Sequence, residues 1–223
     1  MGQLGKELIM EKLCFGNEFS TTILIQPVDD HDLEFIENEV KLISELASSD
    51  YRLIALKVNN WNNDLSPWQA PPVFGKEGFG DGATGTLKEV LNLCTDKNKT
   101  YYVGGYSLAG LFALWSVFQT DVFAGAAAAS PSVWFPGFLE YMQSKKVRSN
   151  AVYLSLGDRE EKTKNPIMAR VGDCIRESRE ILCDQGVSCV LEWNKGNHFK
   201  DADLRMAKGF AWLLNGRGDI LTR

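Results

Sequence analysis

The chain has 223 residues, of which 44% are hydrophobic and 24% are charged, and its formal net charge at pH 7 is −5. This composition is ordinary for a globular protein that buries a sizeable core, and we expect one domain over residues 1–223. The acidic balance offers no basic face for phosphate backbones, which argues against a nucleic-acid partner.

Apolar runs typical of strands alternate with helical spacings along the chain. Strands are predicted at residues 21–28, 52–58, 100–104, 122–129, 151–156 and 187–193, with an antiparallel edge strand at 8–15. Helices are predicted within residues 33–47, 87–94, 108–118, 167–182 and 204–214, and residues 59–85 form the longest irregular segment. This alternation predicts a mostly parallel central sheet with helices on both faces.

The compartment is indicated by what the sequence lacks. The first residues carry charges without the uninterrupted apolar stretch of a secretion signal, and the longest apolar run, 122–129, is too short to cross a bilayer. Five scattered cysteines without a Cys-x-x-Cys pair favour reduced thiols, the alternative being a Cys183–Cys189 bridge in an oxidising compartment. We expect a cytoplasmic protein with no membrane partner.

Residues 104–110, Gly-Gly-Tyr-Ser-Leu-Ala-Gly, join a predicted strand directly to a predicted helix. A sharp turn between them presses the backbone at Ser107 against its neighbours, so the positions two before and two after it need almost no side chain. Those positions are Gly105 and Ala109. The motif therefore predicts Ser107 as a nucleophile, and the alternative is a serine that only caps the next helix.

A serine hydroxyl is a poor nucleophile near neutral pH and needs a positioned base, usually an imidazole. The chain has two histidines. His198 follows the last predicted strand, at the sheet edge where open parallel sheets bind ligands, and it is the predicted base. His31 follows the first strand at the start of a helix, where we expect it to face solvent.

The order serine, acid, histidine requires a carboxylate between the nucleophile and the base. The turn after the strand at 151–156 offers three carboxylates. We favour Glu160, with Asp158 second and Glu161 third. The alternatives are that all three solvate a turn, or that serine and histidine act without an acid.

A tetrahedral oxyanion needs two preorganised backbone N–H donors. We expect one to be the amide of Leu108, at the positive end of the helix that follows the nucleophile. The other is expected from the turn after the first predicted parallel strand, at Val28 or Asp29. Pro27 has no amide hydrogen and is excluded.

Three tryptophans in loops that follow strands are candidates for an apolar substrate-binding wall, with packing of the loops on the core as the alternative. They are Trp61, Trp68 and Trp134. Two histidines far apart in sequence lack the spacing of a zinc site, and the glycines at 104–110 lack the spacing of a dinucleotide site. We expect neither a metal nor an organic cofactor.

With serine, acid turn and histidine in this order, the chain resembles the α/β-hydrolase superfamily. Residues 104–110, 129–134 (Ala-Ser-Pro-Ser-Val-Trp) and 196–198 (Gly-Asn-His) are similar to the esterase branch that includes feruloyl esterases, enterobactin-type siderophore esterases and S-formylglutathione hydrolase. The resemblance implies hydrolysis of carboxylic esters through an acyl-enzyme, with Ser107 as nucleophile and His198 as base. Several members place the acid three residues after the glycine that ends its strand, which here is Glu160.

The chain departs from this branch in two places and lacks one element. Ala109 stands at a usual glycine, and the turn at 28–29 lacks the usual histidine–glycine pair, which leaves the second oxyanion donor open. No insertion is large enough to form a lid, which favours an open site for small or extended esters. The predicted function is a serine carboxylesterase acting on a small-molecule ester, with a homodimer left open by exposed edge strands. The alternatives are an inactive hydrolase-fold binding protein, and a thioesterase or peptidase.

Overall fold

The computed structural model describes residues 10–216, which are organised around a seven-stranded sheet. In chain order the strands are β1 (Glu11–Gly16), β2 (Thr22–Val28), β3 (Arg52–Lys57), β4 (Thr100–Tyr106), β5 (Phe123–Ala129), β6 (Ala151–Gly157) and β7 (Ser188–Asn194). They lie in the order β1-β3-β2-β4-β5-β6-β7, and only β1, at one edge, runs antiparallel to its neighbour. The predicted mostly parallel sheet is therefore confirmed; residues 8 and 9 of the predicted edge strand lie outside the described part of the chain.

Helices cover both faces of the sheet. They are α1 (Asp30–Leu46), α2 (Trp61–Asp64), α3 (Ala83–Leu91), α4 (Ser107–Gln119), α5 (Phe138–Ser144), α6 (Val171–Asp184) and α7 (Ala202–Leu214). Successive strand residues point to opposite faces, so Leu24 packs in the core under α1 and α7. Its neighbours Ile23 and Ile25 pack in the core under α3, α4, α5 and α6.

The predicted helices differ from the observed ones in two stretches. The helix α2 and the start of α3 at Ala83 lie within residues 59–85, which were predicted to be irregular, and further differences lie between β5 and β7. The short helix α5 was not predicted, because its helical signal is only the buried pair Phe138 and Met142. The helix predicted from residue 167 begins at Val171, after a 3-10 turn at Met168–Arg170. The side-chain oxygen of Asn165 accepts from the amides of residues 167 and 168, which holds the chain in a turn before the helix starts.

The topology brings the ends of the central strands to one edge of the sheet. α4 begins at the residue directly after β4, and its residues from Leu108 to Phe118 are all buried, as its uninterrupted apolar sequence predicts. All five cysteines are free, so the alternative Cys183–Cys189 bridge is not formed. Over residues 10–216, no helix combines the length and apolar character that a membrane span requires.

Candidate active site

Ser107 sits at a sharp elbow between β4 and α4. Its φ is +56°, in the left-handed region that costs a non-glycine residue roughly 1–3 kcal/mol. Its carbonyl accepts a hydrogen bond of 3.0 Å from the amide of Ser132, which ties the elbow to the segment after β5. The turn thus holds the hydroxyl at the carboxyl edge of the sheet, as the motif predicts.

The structure brings three of the predicted residues into one hydrogen-bonded series. The hydroxyl oxygen of Ser107 lies 3.0 Å from Nε2 of His198. Nδ1 of the same imidazole lies 2.7 Å from Oε2 of Glu160. The side chain of His198 is 27% exposed and that of Glu160 is 4% exposed, so the imidazole meets solvent while the carboxylate is enclosed.

The two other carboxylates of the acid turn have different partners. Asp158 accepts a 2.8 Å hydrogen bond from the amide of Gly196, which holds the β6 turn against the loop after β7. Glu161 lies 3.4 Å from the guanidinium of Arg176 on α6. Of the three candidates, the carboxylate of Glu160 is therefore the one against the imidazole.

The remaining oxygen of Glu160, Oε1, accepts three hydrogen bonds of 2.7 Å each. The donors are the amide of Gly157, the hydroxyl of Ser130 and Nη1 of Arg205. Burial raises the pKa of Glu160, but the hydrogen bond from His198, together with those from Ser130 and Gly157, outweighs it. The net result is a pKa below the ordinary value, which keeps the carboxylate ionised beside the imidazole.

The contacts of two of these donors, Ser130 and Arg205, with the acid were not predicted from the sequence, although Ser130 lies in the motif at 129–134. Ser130 follows β5 with a φ of +44°, the same left-handed region as Ser107. Arg205 lies in the first turn of α7, and only 1% of its side chain is exposed. One sequence feature could have indicated its role: Arg205 stands between apolar residues on the predicted closing helix, and a charge buried there requires a partner.

A cavity of about 390 Å³ lies beside Ser107 and His198. Apolar side chains form most of its wall, which also includes Ser130 and Ser132. The apolar residues are Phe74, Trp134, Met168, Val171 and Phe199. Within residues 10–216 no separate lid domain covers this cavity.

The three predicted tryptophans are divided between the cavity and the core. Trp134 lines the cavity. Trp61 packs against the core on the α4 side of the sheet and is not part of the cavity wall. Trp68 donates its indole N–H to the carbonyl of Pro136 and contacts the ring of Phe135 edge-on, so its aromatic surface is used in packing.

The predicted oxyanion donors differ in their hydrogen-bond partners. Leu108 is the second residue of α4, where backbone amides have no acceptor within the helix. The carbonyl of Val28 accepts from the amide of Val58, on the β3 side. The amide of Asp29 donates to the Asp32 carboxylate at 3.3 Å and forms, with the reciprocal bond, the capping box of α1. An oxyanion would have to draw the Asp29 amide away from that cap.

No family model and no curated protein matches the sequence. Solved structures do match this chain in fold. The IroE-like serine hydrolase from Shewanella oneidensis superposes with a TM-score of 0.72 at 14% identity, over 92% of this chain and 75% of that chain. The siderophore hydrolase EstB from Aspergillus nidulans gives a TM-score of 0.63 at 17% identity, over 87% and 81%. The Bacillus cereus carboxylesterase gives 0.58 at 13% identity, over 93% and 95%.

These similarities establish the fold. The chain shares its mostly parallel sheet, with helices on both faces, with solved esterases and serine hydrolases. The α/β-hydrolase fold that the resemblance implies is therefore confirmed. In the described part of the chain, no three His, Cys, Asp or Glu side chains are grouped so that they could hold a metal ion.

Proposed function

We propose, from the α/β-hydrolase fold of this chain and the geometry at its sheet edge, that it is a serine hydrolase cleaving carboxylic esters through an acyl-enzyme. The observation that carries the proposal is the hydrogen-bonded series from Ser107 through His198 to Glu160, with distances of 3.0 and 2.7 Å. The series lies beside a cavity that a substrate can enter. The names of structural neighbours, which include a carboxylesterase and a siderophore hydrolase, agree with it.

The mechanism follows from the roles that each group can take. Nε2 of His198 accepts the Ser107 proton while Oγ attacks the ester carbonyl, forming a tetrahedral intermediate. Glu160 stabilises the imidazolium and fixes its orientation. The imidazolium then gives its proton to the departing alkoxide, leaving an acyl-serine. A water molecule attacks this ester by the same proton transfers, which releases the acid and restores the hydroxyl.

Charge develops on the carbonyl oxygen in the tetrahedral intermediate, and backbone amides are suited to stabilise it. We assign one donor to the amide of Leu108, whose position in the first turn of α4 adds the positive end of the helix dipole. The second donor is assigned to the turn after β2, at Val28 or Asp29. The Asp29 amide would exchange its 3.3 Å contact with Asp32 for the oxyanion.

The cavity wall favours a neutral acyl group. The charged or titratable side chains that line it are Glu160 and His198, and both are paired with each other. The volume of about 390 Å³ lies toward the small end of typical ligand pockets, about 300–1,000 Å³. A carboxylate-bearing acyl group would lose its hydration there without gaining a cationic partner.

A binding protein of the same fold is the second candidate, favoured by the engagement of the Asp29 amide in the α1 cap. Without a second donor the oxyanion would be poorly stabilised, which lowers kcat by about 10²–10³-fold, and the site would then act mainly as a binding site. The two candidates differ in whether product is released.

Hydrolysis of a p-nitrophenyl ester panel by the purified chain separates them. We expect turnover by the unmodified chain and a loss of at least about 10³-fold in kcat for Ser107→Ala. Ser116→Ala is the matched control, since Ser116 is a buried serine of α4 whose hydroxyl donates to Phe112 within the helix. Full activity of Ser107→Ala, or no turnover by the unmodified chain, would overturn the proposal, and the second result would favour the binding protein.

A further inference from the structure

We propose that Arg205 is a positioning residue for ester hydrolysis, which orients the Glu160 carboxylate and the His198 loop and opposes protonation of the acid–base pair. The inference rests on the proposed function. It concerns a side chain that does not line the cavity and that no sequence motif singled out.

The guanidinium joins four segments that come together only in the folded chain. Nη1 lies 2.7 Å from Oε1 of Glu160, 2.9 Å from the hydroxyl of Ser130 and 3.1 Å from the hydroxyl of Tyr106. Nη2 donates to the carbonyl of Asn197 at 2.9 Å. Arg205 thus connects α7 to the ends of β4 and β5, to the turn after β6 and to the loop that carries the base.

The two carboxylate oxygens of Glu160 have different hydrogen-bond partners. Oε1 accepts from the Gly157 amide, the Ser130 hydroxyl and Arg205, whereas Oε2 faces His198. Rotation of the carboxylate would break all three bonds to Oε1. All three donors bond to an ionised carboxylate, but only in the bond from Arg205 do both partners carry a charge, so Arg205 adds a strong bond to those that present Oε2 to the imidazole.

Arg205 also fixes the backbone of the histidine loop through Tyr106. The Tyr106 hydroxyl accepts from Arg205 and donates to the carbonyl of His198 at 2.7 Å. Burial raises the pKa of Tyr106 to about 12, so the hydroxyl keeps the proton that it donates. The guanidinium therefore holds both partners of the 2.7 Å contact between acid and base.

The positive charge of Arg205 acts on the same pair. The groups facing the pair are Tyr106 from β4 and Arg205 from α7, while Tyr153 of β6 is coupled electrostatically to Arg205. The neighbouring carboxylates turn away, Asp158 toward the Gly196 amide and Glu161 toward α6. Removing a fixed cation 2.7 Å from the Glu160 carboxylate makes proton uptake by the pair more favourable.

The test is the pH profile of kcat/KM for Arg205→Met and Arg205→Lys on p-nitrophenyl acetate, a neutral ester. For Arg205→Met we expect the acid limb to move up by about one pH unit and the plateau kcat to fall at least about tenfold. KM should stay within about twofold, because the side chain does not line the cavity. Arg205→Lys keeps the positive charge but lacks the planar guanidinium with its several N–H donors. We therefore expect the acid limb of its pH profile to stay in place while kcat falls.

Lys208→Met is the matched control. Lys208 lies one turn further along α7 and pairs with Glu192 and Asn194, so the substitution removes a cation and an ion pair from the same helix without touching the acid–base pair. We expect an unchanged acid limb and an unchanged kcat.

If both Arg205 variants lose kcat but the acid limb of the pH profile does not move in Arg205→Met, the claim that the charge of Arg205 opposes protonation would be wrong. A wild-type kcat in Arg205→Lys would contradict the claim that Arg205 orients the acid and the histidine loop. If Arg205→Met does not fold, Arg205→Gln, which is also neutral, takes its place for the charge of Arg205, and its acid limb should move up in the same way. Tyr106→Phe tests positioning separately: loss of the bond to the His198 carbonyl should lower kcat about fivefold or more. An unmodified chain that hydrolyses no ester would instead overturn the proposed function, and this inference with it.

Discussion

A Cβ atom at Gly105 would lie 2.3 Å from the carbonyl carbon of Ala109 and 2.4 Å from its oxygen. These are backbone atoms of α4, so the contact is relieved only if the elbow opens. Gly105→Ala is therefore expected to destabilise the fold by about 2–4 kcal/mol and to lower kcat more than about tenfold by displacing Ser107. Urea unfolding and ester hydrolysis measure the two effects.

Gly85→Ala is the control for this substitution. Gly85 lies inside α3, and a Cβ there meets nothing within 4 Å. Alanine in an open helical position should stabilise by about 0.5–1 kcal/mol. Equal stability of the Gly105 and Gly85 variants would show that the elbow tolerates a side chain and would contradict its close packing.

The choice of Glu160 over its neighbours is testable by matched amide substitutions. Glu160→Gln removes the charge that stabilises the imidazolium, and we expect kcat to fall by about 10²–10⁴-fold. Asp158→Asn leaves the imidazole contact intact and should change kcat less than about fivefold. A larger loss of kcat for Asp158→Asn than for Glu160→Gln would show that Glu160 is not the acid.

The strands and the elbow with Ser107 could be predicted from the sequence because each has a local signature, and His198 could be predicted because it follows the last strand and completes the serine, acid and histidine order. Apolar runs mark the strands, and small residues must flank a serine at a tight turn. Arg205 had no such signature, since its contacts to Glu160 and Ser130 span 45 and 75 positions of the chain. Trp68 was ambiguous for another reason: an indole side chain suits a binding wall and a packed loop equally well.

Buried Glu39 predicts a pH-dependent stability. The residue is 4% exposed, its carboxylate accepts a hydrogen bond from the Gln26 amide, and burial raises its pKa to about 8 from the ordinary 4.5. Between these two values the native state keeps a proton that the unfolded state has released, so the free energy of unfolding falls as pH rises through this window. The full effect is on the order of 3–5 kcal/mol.

Glu39→Gln should remove this component of the pH dependence. Urea unfolding between pH 5 and pH 8.5 should show a smaller decline for the variant than for the unmodified chain. Glu37→Gln, an exposed change on the same helix, should keep the original decline. Parallel curves for all three proteins would mean that Glu39 does not bind the extra proton.

The neutral cavity wall predicts acyl selectivity. We expect kcat/KM for p-nitrophenyl butyrate to exceed that for p-nitrophenyl hemisuccinate, whose acyl group carries a carboxylate, by at least about tenfold. Met168→Lys places a cation in the wall and should reduce this ratio about tenfold. Ile167→Lys adds the same charge at a residue that is 41% exposed and outside the wall, and should leave the ratio nearly unchanged. Equal ratios for the two variants would contradict this location of the acyl group.

An activated hydroxyl can be detected without knowing the substrate, by a fluorophosphonate probe and peptide mass spectrometry. The unmodified chain should carry one adduct, on Ser107. His198→Gln should label at least about 10²-fold more slowly, while His31→Gln, a change at an exposed histidine on α1, should label at the original rate. No adduct, an adduct on a different serine, or undiminished labelling of His198→Gln would contradict the claim that this imidazole activates this hydroxyl.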